Sequence, residues 1–277
     1  MIVIQKQQKL LLFVLLISAI CLPFSLYAQH SFYPEIHCKH FIYGYPTGTP
    51  TTNDLIIRDI YALSSNDTTK LADWVAYRLD KETVSGNAET TRNWKVDPWL
   101  EDKETLEPND YKNAYEKLKV DRGHQAPLGS FKGTNCWQET NYLSNITPQK
   151  SELNQGPWGK LEEKERSLAK TGNVIYVMTG PLYERDMPVL PGADEPHKIP
   201  SGYWKIIVLP SKNANSLKVA AFIFSQDTPR NDKAIDYIST INEIEKRSGL
   251  DFLRELPDNI EEKIENSNNE EWVKGKF

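Results

Sequence analysis

Short apolar runs bounded by turn residues dominate the middle of the chain, and their lengths suit strands. Leu55 to Leu63 (LIIRDIYAL) is predicted as one strand, Asn66-Asp67 as a turn, and Trp74 to Leu79 (WVAYRL) as the returning strand of a hairpin. Val174 to Thr179 (VIYVMT), Tyr203 to Leu209 (YWKIIVL) and Leu217 to Phe224 (LKVAAFIF) add three more β-rich runs. Between Ala234 and Ser248, Ile235, Ile238, Ile241 and Ile244 recur at helix-compatible spacing, with Gly249 as the stop. Residues 31–52 read as an irregular segment, and residues 80–110, with Pro98 and Pro108, as a long loop. The acidic tail from Pro257 is loosely patterned. Strands and helices that do not alternate regularly indicate an α+β class. The absence of repeats and low-complexity linkers indicates a single domain.

One stretch changes that picture from fold to chemistry. Val120 to Lys170 starts like a strand, continues irregularly and ends in a charged helix. Pro157 is tolerated only in a first turn, so the helix is predicted from about Gly156 to Lys170 with Gly172 beyond it. Asn154, Trp158, Glu162 and Arg166 recur every four residues and share a side. An ideal helix separates Asn154 from Glu162 by ~12 Å along its axis, too far for both to ligate one ion directly. By itself the stripe also fits a solvated face with an ordinary Glu–Arg pair. Asp121-Arg122-Gly123-His124 is richer. Its histidine suits proton transfer near neutral pH, its arginine suits a phosphate, and its glycine permits close approach.

Charge and the N-terminus set the context. Net charge is −5, with 33 Lys+Arg against 38 Asp+Glu. This argues against bulk positive charge as the means of holding nucleic acid, but not against a few placed arginines. Lys6 and Lys9 precede a 13-residue apolar run, Leu10 to Leu22, closed by Pro23. That run is short for a membrane span of ~20 residues and suits an export signal at residues 1–28, cleaved after Ala28. A retained anchor and a lipoprotein built on Cys21 are the competing readings. Cleavage would remove two lysines and no acid, leaving the mature domain at 29–277 more negative still. Cys38 and Cys136 would then meet oxidising conditions and could pair. His30, His37, Cys38 and His40 are zinc-ligand types, but their irregular spacing favours a packed N-terminal segment. His197 reads as structural, and Trp94 and Trp99 as loop aromatics that could also stack on bases.

The stretches DRGHQAP at 121–127, NYLSNITPQ at 141–149, LNQG at 153–156 and LEEKER at 161–166 carry a resemblance to a known family. So do TRNW at 91–94, GPLYERDM at 180–187, IPSGYWK at 199–205 and IEKRSGL at 244–250. In that order and spacing, over roughly residues 40–256, the chain resembles the Serratia-type DNA/RNA non-specific endonucleases. The resemblance implies a central antiparallel β-sheet flanked by helices, with a ββα-metal active-site motif. It implies His124 as general base, Asn154 as the one direct protein ligand of Mg²⁺ (or Mn²⁺), and Glu162 acting through the hydrated metal. It implies Arg92 and Arg122 at the scissile phosphate, Asn145 supporting the water or phosphate network, and Arg166 contacting phosphate or restraining Glu162. Asp121 would orient its neighbours. The implied activity is hydrolysis of DNA and RNA, single- or double-stranded, to 5′-phosphorylated products by an exported enzyme, secreted or periplasmic, that could act as a homodimer. An exported nucleic-acid-binding protein on the same scaffold, without turnover, is the alternative. Asn145-Ile146-Thr147 matches a glycosylation pattern, which is set aside because a glycan would block the implied site. The family's disulfide pattern is not carried over, because no cysteine follows Cys38 nearby.

Overall fold

A computed structural model describes residues 33–88 and 91–277. The expected signal at 1–28 and His30 lie outside them. The apolar runs build an antiparallel sheet of seven strands: β1 (Asp54–Ile57), β2 (Ala62–Asn66), β3 (Leu71–Leu79), β6 (Ile175–Leu182), β7 (Gly202–Leu209), β8 (Lys218–Ser225) and β9 (Ile238–Ser239). They lie side by side in that order. A separate antiparallel ribbon pairs β4 (Val120–His124) with β5 (Ile146–Lys150). The helices are α1 (Lys81–Val84), α2 (Ala114–Leu118), α3 (Gly159–Lys170), α4 (Ile241–Ser248), α5 (Asp258–Glu265) and α6 (Glu270–Lys276), with a helical run at Ser151–Trp158 leading into α3. The fold is α+β, as the pattern indicated.

Side chains alternate across the sheet and fill two cores. Val75, Tyr77, Val177, Tyr203, Ile207, Phe222 and Phe224 face Trp158, Leu161, Leu168 and Ala169 of the α3 region. Trp74, Ala76, Met178, Trp204, Ile206 and Val219 face Ile241, Ile244, Phe252, Leu253 and Ile264 on the other side. A third cluster, including Leu106, Tyr111, Val120, Leu143 and Ile146, lies against the ribbon.

The predicted elements shift in four places. Leu55–Leu63 is not one strand: it folds back at Arg58–Tyr61, where Arg58 N–H donates to the Tyr61 carbonyl at 2.8 Å. The cause is non-local, since the Arg58 guanidinium is drawn inside by buried Asp97. The Asn66 turn forms as expected, its Oδ1 accepting from Thr68 and Thr69 N–H. The helix leading to Lys170 begins five residues before Gly156, at Ser151, and leaves helical geometry at Gly156 (φ −102°, ψ −121°). The predicted helix over 234–248 is a 3₁₀ turn, then β9, then α4. Thr240 caps α4 by accepting from Glu243 N–H at 3.2 Å, and Gly249 ends it at φ +75°. The tail also folds: α5 buries Ile264 on one core and α6 buries Val273 on the other.

Cys38 and Cys136 are both free thiols, so the two are unpaired. His40 is buried, with Nε2 against the Arg58 carbonyl at 3.0 Å, and burial pulls its pKa down to about 4. It does not converge with His37 and Cys38. Among the described residues, the triads of potential ligands that do come together are Asp54–Asp67–Glu104 and Asp110–Asp194–Glu195. His197 is structural: Leu190 N–H donates to its Nε2, and Nδ1 meets the Glu195 carbonyl.

Candidate active site

The ribbon and the α3 region open onto one cleft of about 1050 Å³. Arg92, Arg122, His124, Asn154, Glu162 and Arg166 all line it, so these predicted site residues converge from segments far apart in the chain. Lys112, Lys132 and Lys160 line it too, which makes six cationic side chains against the four carboxylates of Glu116, Asp121, Glu162 and Glu163.

His124 ends β4, opposite Ile146 of β5. The ribbon is tightly closed beside it: a Cβ on Gly123 would stand 2.8 Å from Gln149 Cβ, so any larger residue would force Gln149 to shift. Beyond His124 the chain is clamped by Asn145. That amide accepts from Ala126 N–H at 2.8 Å and donates to the Ala126 and Thr140 carbonyls at 3.0 and 2.9 Å. Asn145 is fully buried and does not line the cleft. Its place is therefore corrected: its polar atoms are committed to backbone groups, and none faces substrate. The same burial disposes of the glycosylation pattern.

His124 is half-buried. Its Nε2 meets Asn141 Oδ1 at 3.3 Å, and Asn141 Nδ2 donates to the Thr91 carbonyl at 3.1 Å. That second bond orients the amide so that an oxygen faces the imidazole. Nε2 is then the N–H of the neutral ring, and Nδ1 carries the free lone pair. Burial lowers the His124 pKa to about 4, the Asn141 bond opposes this, and the charge of Arg92 reinforces it. The ring is neutral at neutral pH.

Arg122 is held on three sides. It donates from Nη2 to the Pro108 carbonyl at 2.7 Å, and its guanidinium carbon stands 4.9 Å from the Tyr111 ring centre and 5.6 Å from that of Trp94. Burial lowers its pKa, with Tyr111 acting the other way. Trp94 also packs on His124, with ring centres 5.2 Å apart. Trp99 is 61% exposed, does not line the cleft and covers the Arg58 guanidinium at 4.1 Å.

Asp121, on the same strand as Arg122 and His124, gathers the start of the helical run. It accepts from Ser151 Oγ at 2.7 Å, Asn154 Nδ2 at 2.9 Å and Gln155 Nε2 at 2.8 Å. With its nitrogen spent on Asp121, Asn154 has its oxygen left for the cleft. A single neutral oxygen of this kind suits a hard cation that keeps most of its waters. No member of either acidic triad lines this cleft. Glu162 lies 3.9 Å from Arg166, with side chains 17% and 21% exposed. Burial raises the Glu162 pKa to about 7. Lys205 and Arg166 lower it, and Glu165 raises it further. Trp158, grouped with these residues by spacing, lies beside Glu162 with its ring buried in the core. Beneath it lies a fully buried set: Lys205 Nζ donates to Glu165 Oε1 at 2.8 Å, and Tyr77 donates to Glu165 Oε2 at 2.8 Å.

Asn141, Tyr111 and the three cleft lysines were missed by sequence reasoning. Asn141 opens the motif segment NYLSNITPQ, which was the available signal. The lysines carried none.

The family model for DNA/RNA non-specific endonucleases matches residues 39–259. A nuclease of Serratia marcescens is 50% identical over 220 residues, covering 79% of this chain and 81% of its own. A nuclease of Nostoc is 30% identical over 244 residues, covering 82% and 84%. A solved structure of an EndoG/EndoGI complex, described as giving the mechanism of EndoG inhibition, superposes with a TM-score of 0.65 at 26% identity, covering 78% of this chain and 90% of that one. With its matched motifs gathered on one cationic cleft, this chain belongs to the DNA/RNA non-specific endonuclease family, a family of metal-dependent nucleases.

Proposed function

We propose that the protein is an exported Mg²⁺-dependent endonuclease that cuts DNA and RNA alike, with His124 as general base. The observation that carries this reading is the neutral imidazole at the cleft wall, its Nε2 directed at Asn141 and its Nδ1 lone pair free. Nδ1 takes a proton from water as the water oxygen attacks phosphorus. The bond from phosphorus to the 3′ oxygen breaks, leaving a 5′-phosphate on the product, as the family resemblance implies. Arg122, fixed by its aromatic neighbours, and Arg92 offset the charge that builds on the phosphate oxygens. Asn154 Oδ1 would hold the hydrated Mg²⁺, for which Mn²⁺ can substitute, and Glu162 would orient its waters. When bound, that cation stabilises charge on the phosphate and the leaving oxygen. Arg166 restrains Glu162, and Asp121 restrains Asn154.

Sugar indifference follows from the cleft chemistry. Its six cations outnumber its four carboxylates and suit phosphates, which position a strand without reading it. Export rests on the signal-like residues 1–28. Among the described residues no helix is long and apolar enough to cross a membrane. A homodimer is proposed from the resemblance alone.

The test is cleavage of plasmid DNA and RNA by the mature protein, with Mg²⁺ and with EDTA, beside His124→Ala. Both substrates should be degraded only with metal. His124→Ala should lose about 10²–10⁴-fold in kcat while still binding DNA. Failure to cut either substrate with any divalent cation would favour the binding-protein alternative. Near-wild-type cleavage by His124→Ala would remove it as the base.

A further inference from the structure

Two of the groups assigned above, the base and a phosphate-facing cation, touch the same side chain. The Trp94 indole lies 5.2 Å from the His124 ring, tilted by 40°, and 5.6 Å from the Arg122 guanidinium carbon. Trp94 itself is anchored from below, packed against the apolar cluster of Leu106, Tyr111 and Leu143. The next residue, Lys95, ties the same loop to the segment that carries Asn141: its N–H donates to the Asn141 carbonyl at 3.2 Å, and its carbonyl accepts from Leu143 N–H at 2.9 Å.

We propose that Trp94 is a positioning residue that sets the imidazole of His124 and the guanidinium of Arg122 in one fixed relation. Resting on the reading of His124 as base, this deepens it without adding a new reaction.

The physical case starts with what restrains each group otherwise. For the His124 side chain the hydrogen bond to Asn141 is long, at 3.3 Å, and a single such bond leaves the ring free to swing about it. A large apolar ring set against the imidazole at 5.2 Å and tilted by 40° limits that freedom by contact. Arg122 donates to Pro108 through one nitrogen, and its Nε has no partner, so hydrogen bonds alone do not define the plane of its fork. Tyr111 at 4.9 Å and Trp94 at 5.6 Å define it from the sides. Cation–π contacts of this kind hold guanidinium planes in partly desolvated sites. An aromatic engaged with both groups is occupied, which is why the geometry favours support over stacking on a substrate base.

The test is a double-mutant cycle read in kcat and in metal-free DNA binding. Trp94→Leu, which keeps apolar bulk but no ring, should lower kcat by about a hundredfold, the scale of a misplacement near 1 Å. Its affinity for DNA in EDTA should stay within about threefold, since uniform binding is not what is lost. Trp94→Phe, which restores a ring, should recover most of the rate. In a His124→Ala background the leucine substitution should cost much less, because part of its effect runs through the imidazole. Trp94→Met carries the same comparison should the leucine variant fail to fold. Equal damage from Trp94→Leu with and without His124 would overturn the proposal, as would Trp94→Phe no better than Trp94→Leu. Lost DNA affinity with kcat unchanged would instead make Trp94 a stacking platform for bases. His124→Ala alone tests the base assignment, so the two readings fail separately.

Discussion

At the scale of single residues, the cleft works by committing each polar atom to one task. Asn154 spends its nitrogen on Asp121, Asn141 spends its nitrogen on Thr91, and each has an oxygen left for use. His124 shows the consequence for pH. Burial sets its folded pKa at about 4, below the ordinary value of 6.5. The unfolded chain therefore binds a proton at higher pH than the native one does. The stabilisation associated with the neutral ring is complete above pH 6.5 and is lost as pH falls toward 4. The folded ring itself stays neutral, and so able to serve as the proposed base, down to about pH 4. The acidic limb of kcat/KM, measured at saturating metal, is expected to bend between pH 4 and 5 and not near 6.5. A limb centred at 6.5 would show that His124 is solvated in the free enzyme.

At the scale of elements, the junction between the helical run at Ser151–Trp158 and α3 governs the site. Asn154 precedes the break at Gly156, and Glu162 follows it. A Cβ at Gly156 would stand 2.7 Å from both the Cα and the carbonyl oxygen of Arg230, which are backbone atoms that cannot swing aside. Gly156→Ala should therefore destabilise the fold by about 1–3 kcal/mol through overpacking. It should also weaken metal activation, because Asn154 and Glu162 no longer keep their relation. Thermal melts and a Mg²⁺ titration of rate would show both, and an unchanged titration would separate the break from the ligand. This junction also shows how far the sequence can be read. Pro157 marked the irregular spot but was read as a helix start, whereas the run is already helical from Ser151; the spacing of Asn154, Glu162 and Arg166 announced a shared wall because that signal is local. The motif around His124 was legible for the same reason. Trp158 keeps its place beside Glu162 but is buried rather than exposed, because Tyr203 and Phe224 of the sheet pack on it, contacts that no local spacing displays. Asn145 was misassigned because its three partners are backbone atoms of residues 126 and 140, which no motif displays. The break in Leu55–Leu63 was invisible because Asp97, which draws in Arg58, lies 39 residues away.

At the scale of the whole molecule, a net acidic chain presents one cationic cleft. Lys112, Lys132 and Lys160 carry charge beyond the groups assigned to chemistry. Each phosphate they neutralise releases counterions, so removing one lysine should flatten the salt dependence of DNA binding by about one in slope, whatever the sequence bound. Lys132→Ala, titrated against salt with DNA and with RNA, should show the same loss for both. A loss confined to one sugar would make that lysine a discriminator.

Those lysines also bear on when digestion stops. A long strand fills the cleft with phosphates, but every cut leaves fragments with fewer charges to bind. Affinity then decays with each round, until oligonucleotides too short to engage all of those lysines at once leave faster than they are cut. The cleft thereby sets a fragment size at which products are released for good.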